Sequence, residues 1–323
     1  MSEFSKNNFS VVTCTYNPDP DKIKRVLSAV KKINNKVSFD HILVDNNSEP
    51  PLSSIINELP DNCRVVVEKQ QGLAYARLKG VQEAKGNWIV FIDDDNLPHE
   101  DYLIELEKII NEYPNVGVWG PGKITIEFEI QPPKWISNYF LTAYQQKDLQ
   151  NTYSGISENW PEYFPAGSGM CIRKDLFNDY AKKLESGLYS VTGRKGNTLS
   201  SGEDAQIVWN CTHQGIPVGS STSLKLIHII PETRINLKYL RKLYFHLSIG
   251  YYYAKSEIFG VESILREEPR FISYIKKGLL ALQKAKFNPA TALKIYIIEK
   301  AWLDGYLKFF KTNQIGKNTG VKK

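Results

Sequence analysis

Residues 88–96 read WIVFIDDDN. An apolar, β-type run stops abruptly at three consecutive carboxylates, Asp93, Asp94 and Asp95. Adjacent like charges at the end of a buried strand favour protonation unless a cation neutralises them, so the triplet is a candidate divalent-metal site. Alternation along a strand would send Asp93 and Asp95 to one face and Asp94 to the other. The competing reading is a solvated acidic turn in which Asp95 or Asn96 caps a helix beginning near Pro98.

Working outward, the first 120 residues alternate strand and helix signals. Residues 9–15 (FSVVTCT) are β-rich, and residues 21–32 then place Ile23, Val26, Leu27 and Val30 at helical spacing. A second strand, 41–44, ends at Asp45-Asn46-Asn47-Ser48; a short helix over 52–59 and a third strand over 64–68 follow. Residues 72–84 carry Leu73, Ala76, Leu78 and Val81 in a helical pattern before the fourth strand. This order predicts an α/β fold, a mostly parallel sheet with helices on both sides. Ligands collect at the carboxyl ends of such strands. Those ends carry Thr15-Tyr16-Asn17, Asp45-Asn46-Asn47, Glu68-Lys69-Gln70 and the acidic triplet.

Farther along, a strand pair is expected over 116–130, an irregular aromatic, substrate-facing region over 131–162, a strand over 170–173 after Gly167-Ser168-Gly169, a helix from Gly202-Glu203-Asp204 to about His213, and a strand over 224–230. Only helices are expected afterwards, with a boundary near Pro231.

Composition narrows the class. The 323-residue chain is 42% hydrophobic, ordinary for a globular protein. The polar start MSEFSKNNFS does not read as a secretory signal, and no apolar run reaches the roughly 18 residues of a membrane span, so a cytoplasmic protein is expected. The four scattered cysteines form no CxxC pair and read as reduced core residues. The net charge of +6 is uneven: residues 271–323 hold eleven lysines against Glu299 and Asp304. Such a basic segment suits an anionic membrane surface or serves solubility; a nucleic-acid partner is not expected. Its aromatics, Phe271, Tyr274, Phe287, Tyr296, Trp302, Tyr306, Phe309 and Phe310, fit either a membrane surface or the inner faces of packed helices.

The ordered pieces VVTCTYN, ILVDNNS, GLAYARLKG, FIDDDN, PAGSGMCIRKDLF, SGEDAQI and IHIIPETR, spread over residues 8–255, resemble the family 2 glycosyltransferases of the GT-A fold. The resemblance implies a GT-A domain over 1–230 and a helical, basic region over 231–323. It implies inverting transfer of one sugar, hexosyl or N-acetylhexosaminyl, from a nucleoside-diphosphate sugar to a glycan or lipid-linked glycan acceptor in surface polysaccharide synthesis. A UDP-sugar is the expected donor and Mn²⁺ or Mg²⁺ the expected metal. Asp93 and Asp95 match the family's DxD motif, Asp94 is its variable middle position, and His228 matches a histidine that completes the metal or diphosphate site. Imidazole suits Mn²⁺ better than Mg²⁺.

Asp204 matches the family's catalytic base, which takes the acceptor hydroxyl's proton. Glu203 would position it or hold an acceptor hydroxyl; a helix N-terminus explains the same two acids. Thr15, Tyr16, Asn17 and Asp45 match the nucleotide end, and Gly72 and Arg77 the loop and helix that approach base and phosphates. No QxxRW follows the acidic pair, which argues for single additions rather than a processive synthase. Tyr251, Tyr252 and Tyr253 read as an acceptor groove or as core. A nucleotidyltransferase of related fold and a non-catalytic sugar-nucleotide-binding protein are the alternatives. The first would show a Gly-rich basic loop after the first strand, where TCTYNPDPD is acidic and Pro-rich.

Overall fold

The structure, a computed structural model, describes residues 8–56, 58–194, 199–264 and 271–318. The polar start that bears on a leader therefore lies outside the described residues, apart from 8–10. The first half runs β1 (Phe9–Thr15), α1 (Pro20–Asn34), β2 (Asp40–Asp45), β3 (Cys63–Val67), α2 (Leu73–Glu83), β4 (Trp88–Phe91), β5 (Asn96–Pro98) and α3 (Tyr102–Glu112). Next come β6 (Val118–Phe128), α4 (Lys134–Tyr139), β7 (Lys147–Asp148), β8 (Tyr153–Gly155), β9 (Cys171–Arg173), α5 (Lys174–Glu185), α6 (Glu203–His213) and β10 (Val218–Ile230). Helices α7 (Leu237–Phe259), α8 (Phe271–Lys284) and α9 (Pro289–Asn318) close the chain.

One sheet runs in the order β3-β2-β1-β4-β9-β6-β10-β5. Its first half is parallel, as the alternating pattern predicts. The sheet as a whole is mixed, because β9 enters antiparallel between β4 and β6, and β5 pairs antiparallel with β10. Every residue of β1 is buried, as a strand covered on both faces requires. One face packs Val12, Val44 and Phe91 against α2, α5 and α6; the other packs Val11, Val90 and Trp119 against α1 and α3. Helix α1 starts where its sequence dictates: Asp19 accepts from the amides of Asp21 and Lys22, and Pro20 fills the first helical turn.

Several local expectations change. The segment 52–59 forms only a single 3-10 turn, Leu52–Ser54, and the strand pair over 116–130 is one long strand, β6. The stretch 131–162 carries the short elements α4, β7 and β8, but most of its residues lie outside them, as expected of an irregular region. No helix is capped by Asp95 or Asn96. Residues 96–98 instead form β5, because backbone pairing with β10 competes successfully with the helical start. The four cysteines are free, three of them buried. Tyr251, Tyr252 and Tyr253 make ring contacts with Trp209, Tyr306 and Phe309, the behaviour of core residues.

A 3-10 turn, Glu232–Arg234, links β10 to α7, and α7 packs on both α6 and α9. Among the described residues no helix is long and apolar enough to cross a membrane.

Candidate active site

A cleft of about 420 Å³ opens at the carboxyl ends of β1 and β4, walled by the N-termini of α2 and α6 and by the ends of the strands around β10. The acidic triplet forms its floor. Strand β4 ends at Phe91, so Asp93, Asp94 and Asp95 lie in the turn leading to β5, where strand alternation no longer applies. All three line the cleft, which corrects the expected division between two faces.

Each carboxylate has its own partner. Asp93 accepts from Ser168 Oγ at 3.0 Å, and Asp94 from Thr15 Oγ1 at 2.5 Å. Asp95 accepts from Arg234 Nη1 at 2.9 Å through Oδ2, while its Oδ1 lies 3.5 Å from His228 Nε2. Burial, then the neighbouring Asp95, pushes the Asp94 carboxyl up to about 7. Burial also acts to raise Asp95, but His228 and then Arg234 hold it below the usual carboxylate range. The pairing of β5 with β10 creates this contact: His228 stands opposite Asn96, and the Ile229 amide donates to the Asp95 carbonyl at 2.9 Å. The His228 Nδ1 is fixed against the Tyr144 carbonyl at 2.8 Å.

Asp95 and His228 suit a divalent cation. An imidazole whose second nitrogen is held by a backbone carbonyl presents the other in a set direction, the usual arrangement around metal-binding histidine. Among the described residues no three His, Cys, Asp or Glu side chains group into a complete metal site, so a cation here would draw further oxygens from a ligand or water.

The second acidic pair opens α6. Asp204 accepts from the amides of Gly167 (3.2 Å) and Ala205 (2.8 Å), which fixes its carboxylate at the cleft wall. Glu203 is buried, and its Oε2 has no hydrogen-bond partner among the described residues. Burial, reinforced by Asp204 and opposed by Arg77, pushes its carboxyl up to about 7. The helix start is held by a close backbone contact. Gly202 has φ +126°, and a Cβ there would lie 2.7 Å from the Gly250 carbonyl of α7, so neither a side chain nor that backbone angle suits another residue.

Arg77 connects the two acidic groups. Its guanidinium, only 2% exposed, lies 3.5 Å from Glu203 and 3.6 Å from Asp93 and sits over the Phe91 ring. Burial acts to lower its pKa, but Asp93 and Glu203 raise it above the ordinary arginine value. A side chain so enclosed acts as a bracket between β4 and α6.

Of the residues expected at the nucleotide end, Thr15, Tyr16 and Gly72 line the cleft. Asp45 and Asn17 lie outside its lining. Asp45 accepts from the amides of Ser48 and Leu52, while Asn17 exchanges hydrogen bonds with Ser48 and Glu49, so both organise the turn after β2. Asn46 lines the cleft instead and bonds Glu68, Gln70 and the Gly72 amide, holding the entry to α2.

Sequence reasoning did not single out Arg234, Arg194 or Gln145, and read Ser168 only as part of Gly167-Ser168-Gly169; all four line the cleft. Arg234 was legible only as an arginine six residues after His228; the 3-10 turn brings it back to Asp95. Gln145 has a left-handed backbone (φ +67°), unusual for a residue with a side chain.

The Glycosyl transferase family 2 model matches residues 10–181, which contain β1 through most of α5 and the whole acidic turn. The chain is 24% identical over 209 residues to a glucosyl-dolichyl phosphate glucuronosyltransferase of Haloferax volcanii, covering 61% of each chain. It is 30% identical over 114 residues to glycosyltransferase AglE of the same organism, covering 34% of this chain and 36% of that one. These matches thus span less than two thirds of either relative. A crystal structure of S. aureus TarS, residues 1-349, aligns over 96% of this chain and 92% of that one with a TM-score of 0.46 and 13% identity. With the family's model matching more than half of the chain, the protein belongs to glycosyl transferase family 2.

Proposed function

We propose that the protein is an inverting, metal-dependent glycosyltransferase that moves one sugar from a nucleoside-diphosphate sugar, a UDP-sugar in the first instance, to a glycan or lipid-linked glycan acceptor in surface polysaccharide synthesis. The observation that carries this reading is the meeting of two separate acidic groups, Asp93–Asp95 and Glu203–Asp204, in one cleft with three arginines. A departing diphosphate needs positive charge on one side of the sugar, and an attacking hydroxyl needs a base on the other.

Asp95 and His228, with Asp93 nearby, would hold Mn²⁺ or Mg²⁺, which when bound neutralises the diphosphate oxygens. Arg234 and Arg194 supply forked donors to the same anion. Asp204 accepts the hydroxyl proton as the new C–O bond forms opposite the breaking bond to phosphate, whose electron pair leaves on the diphosphate. Glu203 and Arg77 hold Asp204 and Asp93 at their separation. Thr15, Tyr16, Asn46 and Gly72 receive the nucleoside, with Asp45 and Asn17 shaping that wall.

The dolichyl phosphate in one relative's name favours a lipid-linked acceptor. On this reading the enzyme works at the cytoplasmic face of a membrane, and residues 271–323, with net charge +9, rest on anionic lipid.

The test is release of nucleoside diphosphate from a panel of nucleotide sugars with Mn²⁺ or Mg²⁺. Slow release that disappears in Asp204→Asn and Asp95→Ala is expected. Formation of nucleoside triphosphate and sugar 1-phosphate when pyrophosphate is added, in place of nucleoside diphosphate, would replace this reading with nucleotidyl transfer.

A further inference from the structure

Helix α8 presents the wrong face to solvent for an ordinary surface helix. Ala281, and Ala285 just past the helix end, are buried in the cluster that also holds Ile136, Phe140, Tyr144 and the inner residues of α9. The opposite face carries Ile272, Ile275, Leu279 and Leu280 at i, i+3, i+7 and i+8, one continuous ridge at 100° per residue, and all four are exposed. Leu279 is 64% exposed. At the turn into α9, Phe287 adopts φ +62° and is 72% exposed, and Leu293 in the next turn is exposed too. An aromatic ring held on left-handed backbone at a hairpin tip, facing water, contributes nothing to the core.

The surrounding charge identifies the occupant. Lys276 and Lys286 are exposed beside the ridge, Lys284 next to them pairs with Glu299 at 2.6 Å, and the whole segment 271–323 has net charge +9. A second copy of this chain would bring +9 against +9, whereas an anionic bilayer offers both an apolar interior for the ridge and counter-charge for the lysines.

We infer that the α8–α9 hairpin is a membrane-docking device that inserts the Ile272/Ile275/Leu279/Leu280 ridge and Phe287 into the interface of an anionic bilayer. The inference rests on the peripheral contact proposed above and changes its nature, from adsorption of a basic segment to burial of an apolar ridge. Half of the segment's eight aromatics serve another purpose: Trp302, Tyr306, Phe309 and Phe310 pack against one another and the tyrosines of α7. The side chain of Phe271 is outside the described residues. The hairpin's inner face shares a core with Tyr144, whose carbonyl holds His228. Docking would therefore anchor the wall of the cleft itself.

Flotation of the full chain with phosphatidylcholine vesicles, with and without phosphatidylglycerol, tests this. Wild type is expected to float with the anionic vesicles and to retain part of its binding in high salt. Leu279→Glu/Phe287→Glu should lose at least about tenfold in partitioning, since each buried side chain of this size contributes more than that factor. Its melting temperature and nucleoside-diphosphate release in solution should not change. Equal flotation of the variant overturns the ridge and leaves adsorption by lysines alone. Absence of wild-type flotation overturns both ridge and membrane contact without touching the glycosyltransferase reading. A concentration-dependent dimer in sedimentation velocity, lost in the same variant and without vesicle binding, assigns the ridge to a second copy and overturns the inference.

Discussion

Arg234 Nη1 donates to Asp95 Oδ2 at 2.9 Å across 139 residues of sequence. The guanidinium belongs to the turn that follows β10, and the carboxylate to the turn that follows β4. Each approaches the cleft because β5 pairs with β10.

Arg234 is expected to bind the leaving diphosphate while orienting Asp95. Removing a charge-assisted hydrogen bond of this kind costs about 1.5–3 kcal/mol. Arg234→Ala should therefore weaken nucleoside-diphosphate binding by roughly 10- to 100-fold by the same scale, and Arg234→Lys by less. Isothermal titration of the three proteins with UDP and Mn²⁺ checks the order; unchanged affinity in Arg234→Ala removes the residue from the diphosphate site.

Arg77 brackets Asp93 and Glu203 from a fully enclosed position. Arg77→Met leaves those carboxylates without their cation, and breaking a buried pair costs about 3–5 kcal/mol. Glu203 titrates near 7 and would sit even higher without Arg77, so at low pH it is neutral and the loss shrinks. The variant's deficit in melting temperature should be larger at about pH 8 than at about pH 5.5, on either side of the Glu203 transition. A deficit independent of pH would mean that packing over Phe91 matters more than charge.

His41 is buried in β2 with its Nε2 3.0 Å from Thr13 Oγ1. Burial lowers its pKa from 6.5 to about 4. The unfolded chain takes up the proton first, so stability is lost as pH falls from 6.5 towards 4, by at most about 3 kcal/mol at 1.36 kcal/mol per unit. Glu203 acts in the opposite sense: its raised value gives stability that is present below 4.5 and lost as pH rises through 7. Urea titrations of wild type and His41→Gln isolate the histidine. The difference between them should grow in wild type's disfavour as pH falls below 6.5, and a constant difference would contradict a neutral buried ring.

Gly250 and Gly202 bring α7 against the start of α6. A Cβ on Gly250 would lie 1.5 Å from the Ser201 carbonyl, a contact that only backbone movement can relieve. Gly250→Ala should destabilise by about 1–3 kcal/mol or more. Because the displaced segment leads directly into Glu203 and Asp204, activity should fall further than the folded fraction does. Parallel chemical denaturation and nucleoside-diphosphate release measure both effects.

The parallel half of the sheet was legible because its signals are local: continuous apolar runs at β1 and β4, helical spacing in α1, and Asp19-Pro20 at a helix start. The acidic turn and Gly202-Glu203-Asp204 were legible as chemistry, since like charges crowded at the end of apolar elements demand a reason. The triplet's geometry was not. Alternation presumes a continuing strand, and β4 stops two residues before Asp93. Likewise the 96–98 segment carries a helix-start signal that only its partner strand β10 overrides.

By itself, then, the sequence determined which short elements form and where carboxylates end them, because propensity, capping and periodicity act over a few residues. Tertiary structure decided which distant groups meet. His228 and Arg234 reach Asp95 through strand pairing, Arg77 is enclosed between Asp93 and Glu203 by helix packing, and α8 turns leucines outward because its alanines fit the core. Those contacts span tens to more than a hundred residues, and their energies depend on burial and distance, which no local pattern encodes.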